Sequence, residues 1–248
     1  MAKKIRKILL VLGALLLGLV LIGVIAGVVI SEEKPTGTPG AEAEALAVAM
    51  ETAIEKEAWE RTGAVRWDFG GRQQHLWDRQ RNFSRVRWDE TEVLLRLDDQ
   101  TGRAYEGGTE LTGAVAEERV AEAWSFFCND SFWLNPIAKL RDDGVTLSHV
   151  DGERPGLLVE YASGGVTPGD AYLWHVGEDH LPTAWRMWVS IIPIGGLEAS
   201  WEGWTTLSTG AKVATQHDIG PLDLVLSDVA GAATLAELEE DDPFAPLL

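Results

Sequence analysis

The chain has a single cysteine, Cys128, in 248 residues, and only five histidines. One thiol excludes an intrachain disulfide, so the stability of the fold has to come from its core. Cys128 follows Phe126-Phe127 and reads as a small buried apolar residue rather than a reactive thiolate. His75, His149, His175, His180 and His217 form no His-Glu-x-x-His or His-x-His pattern, and the five-residue step from His175 to His180 matches no recognised ligand spacing. Neither a metal nor any other cofactor is expected. There is no Gly-x-Ser-x-Gly nucleophile elbow. The glycines of Gly164-Gly165-Val166-Thr167-Pro168-Gly169-Asp170 precede a strand pattern, so no helix dipole is available there to hold a phosphate.

Positive charge is also scarce. The chain carries 21 Lys and Arg against 39 Asp and Glu. Four of the cations, Lys3, Lys4, Arg6 and Lys7, precede an uncharged apolar run from Ile8 to Ile30. That run is long enough to cross a hydrocarbon core roughly 30 Å thick. Basic residues before it and Glu32-Glu33 after it orient the N-terminus to the cytoplasm and the main domain to the periplasmic side. The competing reading is a cleaved secretory signal. Its apolar region would be about 7–15 residues, closed by a small-x-small site, whereas Ala26 and Val28 match such a site poorly. Either way the domain is exported, and the retained single-pass anchor is the preferred reading. Beyond the anchor a strongly acidic surface repels phosphate backbones, so nucleic acid is excluded as a partner. Close approach to an anionic leaflet is disfavoured by the same charge.

What the chain has in excess is tryptophan, eleven in all. Indoles on this scale build either a bulky core or the wall of an apolar cavity. Their setting follows from the pattern along the chain. Residues 31–41 hold two prolines and two glycines with no apolar period, and read as a flexible tether. Leu46, Met50, Ile54 and Ala58 recur at helical spacing, giving a helix over 41–61 that ends at Thr62-Gly63. From Val65 to Tyr105 the period becomes two, broken by Gly70-Gly71, Asp89-Glu90, Asp98–Gly102 and Glu106-Gly107-Gly108, as in an antiparallel meander. A second helix is expected over 115–127. An aromatic loop, Asn129–Pro136, follows, whose Phe132 and Trp133 should fold back as a lid. Period-two segments then run on to Val229, and the tail 235–248 carries an acidic run expected to be solvated.

Candidate binding residues come from these strands. Trp67, Phe69, Trp77, Trp88, Trp174, Trp185, Trp188 and Trp201 are expected to line an apolar cavity. Arg79 and Arg81, in phase with Trp77 and His75, could clamp an anionic headgroup at its mouth. Cross-strand pairing of these arginines with the domain's own acids is the favoured alternative. Asp130, Asp170, Glu202 and His175 are the groups from which an envelope hydrolase would be assembled.

The order of anchor, tether, helix, meander, helix with aromatic loop, and second meander resembles the LolA/LolB-like superfamily of lipoprotein carriers and lipid-binding proteins. Trp67-Asp68-Phe69, Gly107-Gly108 after Tyr105, and Asp130-Ser131-Phe132 fall where that superfamily has a strand, a hairpin turn and a lid-like loop. No ligand-contacting residue of the family maps onto a position here. The resemblance implies an α+β fold, a curved antiparallel half-barrel of about eleven strands with helices over its concave face, spanning residues 42–234. It further implies binding of an acyl chain or other apolar ligand. A hydrolase, or a structural envelope module whose tryptophans fill a core, are the alternatives.

Overall fold

The computed structural model describes residues 31–163, 166–239 and 241–248. The apolar run assigned to a membrane helix lies outside the described residues, as do Gly164, Gly165 and Glu240. Among the described residues no helix is long and apolar enough to cross a membrane.

The period-two segments become antiparallel strands. β1 (Ala64–Phe69), β2 (Gln73–Asp78), β3 (Phe83–Trp88), β4 (Thr91–Arg96), β5 (Thr101–Glu106) and β6 (Thr109–Glu110) pair in succession. Asn82, Asp89 and Gln100 take positive φ at the tight turns between them, where a short polar side chain is favoured. A second meander comprises β7 (Val145–Val150), β8 (Gly156–Tyr161), β9 (Ala171–Val176), β10 (Pro182–Trp188) and β11 (Leu197–Ser200). β12 (Thr205–Thr206) and β13 (Lys212–Val213) form a small ribbon. β14 (Gln216–Ile219) and β15 (Leu222–Ala232) then return to the first sheet, where β15 pairs with β1.

The result is an open eight-stranded sheet and a five-stranded sheet rather than one sheet of about eleven strands. The two meet where Glu202 and Gln216 bridge and where Ser200 Oγ accepts from Asp218 N at 2.9 Å. The α+β class with a large antiparallel sheet and few helices is as expected.

Two helical expectations change. The first helix splits into α1 (Ala41–Ala53) and α2 (Lys56–Arg61), with Glu55 left-handed at φ 57° between them. Lys212 donates from its backbone N to Ile54 O and from Nζ to Ala53 O, so β13 takes carbonyls that a continuous helix would have used. α3 runs Ala114–Leu134, well beyond the expected end near Phe127. Phe132 and Trp133 therefore sit on its last turn, and Pro136 stops it. Asn129, Asp130 and Ser131 are weak helix formers, and long-range contacts described below hold them in the helix.

Segments 31–38 and 244–247 are engaged as well. Segment 31–38, expected as a free tether, is hydrogen-bonded along β7 and the β10–β11 loop: Thr38 and His149 exchange backbone bonds at 2.8 Å, and Glu32 N donates to Gly195 O at 2.9 Å. Beyond the acidic run, Phe244 and Leu247 are buried against Leu76, Phe83 and Leu94 on the outer face of the first sheet. That face carries an apolar row, and burying it is worth more than hydrating the tail.

Candidate functional site: two aromatic beds beneath one helix

α3 carries Ala116, Val120, Ala123, Phe127, Asp130 and Leu134 at steps of three and four, one stripe laid on the inner face of the strands. One carboxylate interrupts an otherwise apolar stripe. Opposite it, β2 presents Gln73, His75 and Trp77 on the same face by strand alternation. His75 Nε2 lies 2.6 Å from Asp130 Oδ2, and the two side chains are 0% and 3% exposed. Asn129 Nδ2 donates to Asp130 Oδ1 at 2.8 Å. The His75 ring stacks on Trp67 at 4.5 Å, and its Nδ1 has no hydrogen-bond partner among the described residues. This pair pins the helix to the sheet. An Asp in a helical apolar stripe and a His in a strand's apolar row were both readable in the sequence; their partnership across 55 residues was not.

Around the pair lies the first aromatic bed. Trp67, Phe69, Trp77 and Trp88 all face α3 or α2, as the alternation predicts. Trp77 meets Phe127 edge-on at 5.2 Å and Trp59 at 6.3 Å, while Trp88 meets Phe126 at 5.2 Å.

The second bed is denser. Trp174, Trp185 and Trp201 lie within 4.9 Å of one another, centroid to centroid, and all three are buried. Tyr172 joins them 4.5 Å from Trp185. Onto this bed α3 delivers its last turn. Phe132 packs on Tyr161, Tyr172 and Trp185 at 5.4, 5.1 and 5.8 Å. Trp133 packs on Trp185 at 4.7 Å, on Trp201 at 6.1 Å and on His217 at 5.1 Å. Each such ring pair is worth about 0.5–1.5 kcal/mol beyond the area it buries. Trp59, Tyr161, Tyr172, Trp204 and His217 belong to these beds without having been singled out as candidates. Tyr172 shares its strand phase with Trp174, a signal the sequence does contain.

The polar atoms of the beds are conspicuous. Nε1 of Trp67, Trp77, Trp174, Trp185 and Trp201, the Tyr161 hydroxyl and His217 Nε2 are buried and find no hydrogen-bond partner among the described residues. Burial drives the His217 imidazole down to about 4, against the opposing pull of its bond to Ser200 O at 3.0 Å. Burial likewise raises the Tyr161 and Tyr172 hydroxyls above the ordinary phenol range and lifts the Cys128 thiol to about 11.

Three sequence expectations are corrected. Trp188 points to the opposite face of β10, beside Leu158, Ala171 and Leu173, and gives its Nε1–H to Glu32 O at 2.9 Å. An odd-numbered step from Trp185 places it there. Arg79 and Arg81 do not share a face, because β2 ends at Asp78 and the chain turns between them. Arg79 donates to Trp59 O and Thr62 O and lies over the Trp59 ring at 4.4 Å, and burial lowers its guanidinium to about 10. Arg81 reaches outward to Asp78 and forks onto Asp242 at 2.7 and 2.9 Å. Both guanidiniums are thus engaged by the chain itself. The carboxylates and imidazole of the hydrolase reading do not converge either. Asp130 holds His75, Asp170 accepts from Thr167 and Ser190, His175 sits on the outer side of β9, and Glu202 is exposed at the junction of the sheets. Among the described residues no three His, Cys, Asp or Glu side chains come together to hold a metal ion.

No protein-family model matches the sequence, and no curated protein matches it. Among solved structures the chain is similar to a DUF1329 family protein from Desulfovibrio piger. The two share 12% identity over 82% of this chain and 98% of that one, with a TM-score of 0.44. It is also similar to a LolA superfamily protein from Nitrosomonas europaea, at 12% identity over 73% and 92% of the two chains and a TM-score of 0.31.

Proposed function

We propose that this protein is a membrane-anchored, extracytoplasmic binding domain that takes an acyl chain or similarly slender apolar group on its second aromatic bed. Phe132 and Trp133 act as a plug that the ligand displaces. The observation that carries the reading is the set of buried, unpaired donors around that plug. Each costs about 1–3 kcal/mol to leave without a partner, and phenylalanine would fill a purely structural core without that cost. A ligand whose apolar tail replaces the two plug rings, and whose ester or carboxyl oxygens accept from indole or phenol, would meet both demands.

The test uses the full-length protein and cis-parinaric acid, whose emission rises in an apolar site. Trp133→Ala is expected to speed uptake and raise occupancy of the probe, while Trp185→Ala abolishes binding. Native mass spectrometry of the purified protein is expected to show a co-purified lipid. Failure of both the unmodified protein and the Trp133→Ala variant to take up the probe would leave the beds as ordinary core.

A further inference from the structure

We infer that the loop Ser190–Gly196 is the surface on which the folded domain rests against the bilayer. This builds on the reading of residues 8–30 as a retained anchor, and it fixes which side of the domain meets the lipid.

The apolar run ends at Ile30, and the very next residue is already part of the fold. Ser31 Oγ accepts from Gly195 N at 2.9 Å. Glu32 donates its N–H to Gly195 O at 2.9 Å, accepts from Trp188 Nε1 at 2.9 Å and pairs its carboxylate with Arg186. A residue spans at most about 3.6 Å, so Gly195 stands one or two residue lengths from where the chain would leave the hydrocarbon. The approach is built for glycine: a Cβ on Gly195 would lie 2.6 Å from Glu32 O and 2.7 Å from Trp188 Cδ1. A free tether would let the domain tumble; this one holds it.

The surface so placed suits a lipid. Ser190-Ile191-Ile192-Pro193-Ile194-Gly195-Gly196 carries no charge, in a domain whose acidity elsewhere would be repelled by an anionic leaflet. Ile191 is 71% exposed. Trp188, half-buried beside the loop, is of the residue type that settles at the headgroup level. The neighbouring Ile192 instead turns inward and packs with Val189 against the second aromatic bed. The same loop therefore joins the bilayer to the bed, giving an acyl chain a short apolar route from one to the other.

The experiment places a spin label at Ile191→Cys, in a Cys128→Ser background, on the full-length chain in phosphatidylcholine nanodiscs. A second label at Glu90→Cys, on the tip between β3 and β4, reports a surface far along the chain from the loop. The ratio of oxygen to nickel accessibility is expected to be several-fold higher at 191 than at 90. Adding Gly195→Ala should bring the value at 191 down to the aqueous level, because segment 31–32 can no longer close on the loop. Equal, aqueous ratios at both sites in a chain that still resists carbonate extraction would overturn the surface alone. Release of the unmodified chain by carbonate would overturn the anchor, and the inference with it. A high ratio at 191 that survives Gly195→Ala would overturn the pinning.

Discussion

The two sheets hold α3 in different ways. In the eight-stranded sheet a polar pair does it: Asp130 holds His75 beneath α3, and on the outer face Asp242 and Asp78 hold Arg81. In the five-stranded sheet the rings of Trp174, Trp185 and Trp201 interlock and receive α3 by ring contacts alone. Both sheets bury indole N–H groups that have no partner among the described residues, Trp67 and Trp77 in the first, Trp174, Trp185 and Trp201 in the second. A buried donor without an acceptor is a local weakness, and a polar pair across two elements is a clamp. The first sheet thus behaves as a frame that grips α3 through a polar pair, and the second grips it through stacked rings. α3 joins them, clamped at Asp130 and seated two residues later with Phe132 and Trp133 on the second bed.

The largest loss of stability is expected at Trp185. This residue touches Phe132, Trp133, Tyr172, Trp174 and Trp201, and truncation to alanine should destabilise by about 3–5 kcal/mol. Trp133→Ala should cost clearly less, since its ring is only partly buried. Denaturation midpoints for the two variants measure the gap, and equal losses would make the plug part of the frame.

Next in size is a pH effect from the second bed. His217 is buried neutral with its pKa depressed to about 4, below the ordinary value of 6.5. The unfolded chain takes up a proton on this residue below pH 6.5 that the folded chain refuses until about pH 4. Stability should therefore be complete above pH 6.5, fall by about 3 kcal/mol as pH drops to 4, and level off beneath that. His217→Phe should flatten this part of the profile relative to the unmodified protein. An identical slope in both would show that other groups carry it.

The clamp should be worth less. Asp130→Ala strands the His75 ring and should cost about 1–3 kcal/mol. In a double-mutant cycle with His75→Ala the two losses should fall short of additive. Additivity would mean that the pair does not act as a unit. The smallest effect is expected at the outer ion pair. Asp242→Asn should cost under about 1 kcal/mol, and less still in high salt, because the Arg81–Asp242 pair is partly solvated. A loss as large as that of Asp130→Ala would place the tail's charge among the frame's main supports.

Alternation made most of the strands and their inward residues readable: Trp67, Phe69, Trp77, Trp88, Trp174, Trp185 and Trp201 all lie on the inner face. Elsewhere a local rule is overridden. Trp188 lies an odd step from Trp185 and takes the other face of β10. Arg79 and Arg81 lie past the end of β2, where the chain turns. Asn129-Asp130-Ser131 has the composition of a break, and the His75 contact outweighs that propensity. Segment 31–38 is polar in composition, and composition does not register a docking groove.

The antiparallel strands, the turns between them, the helical stripe of α3 and the concentration of indole on inward positions are legible along the chain. These depend on periods of two and 3.6 residues and on turn chemistry, all written within a few neighbouring positions. That Asp130 meets His75, that Asp242 meets Arg81 across 161 residues and that Ser31 closes on Gly195 emerges with the assembled fold. Such pairings depend on sheet register and on which faces are left open to receive a distant segment. Register is a property of the assembled strands, and no local stretch of the chain contains it.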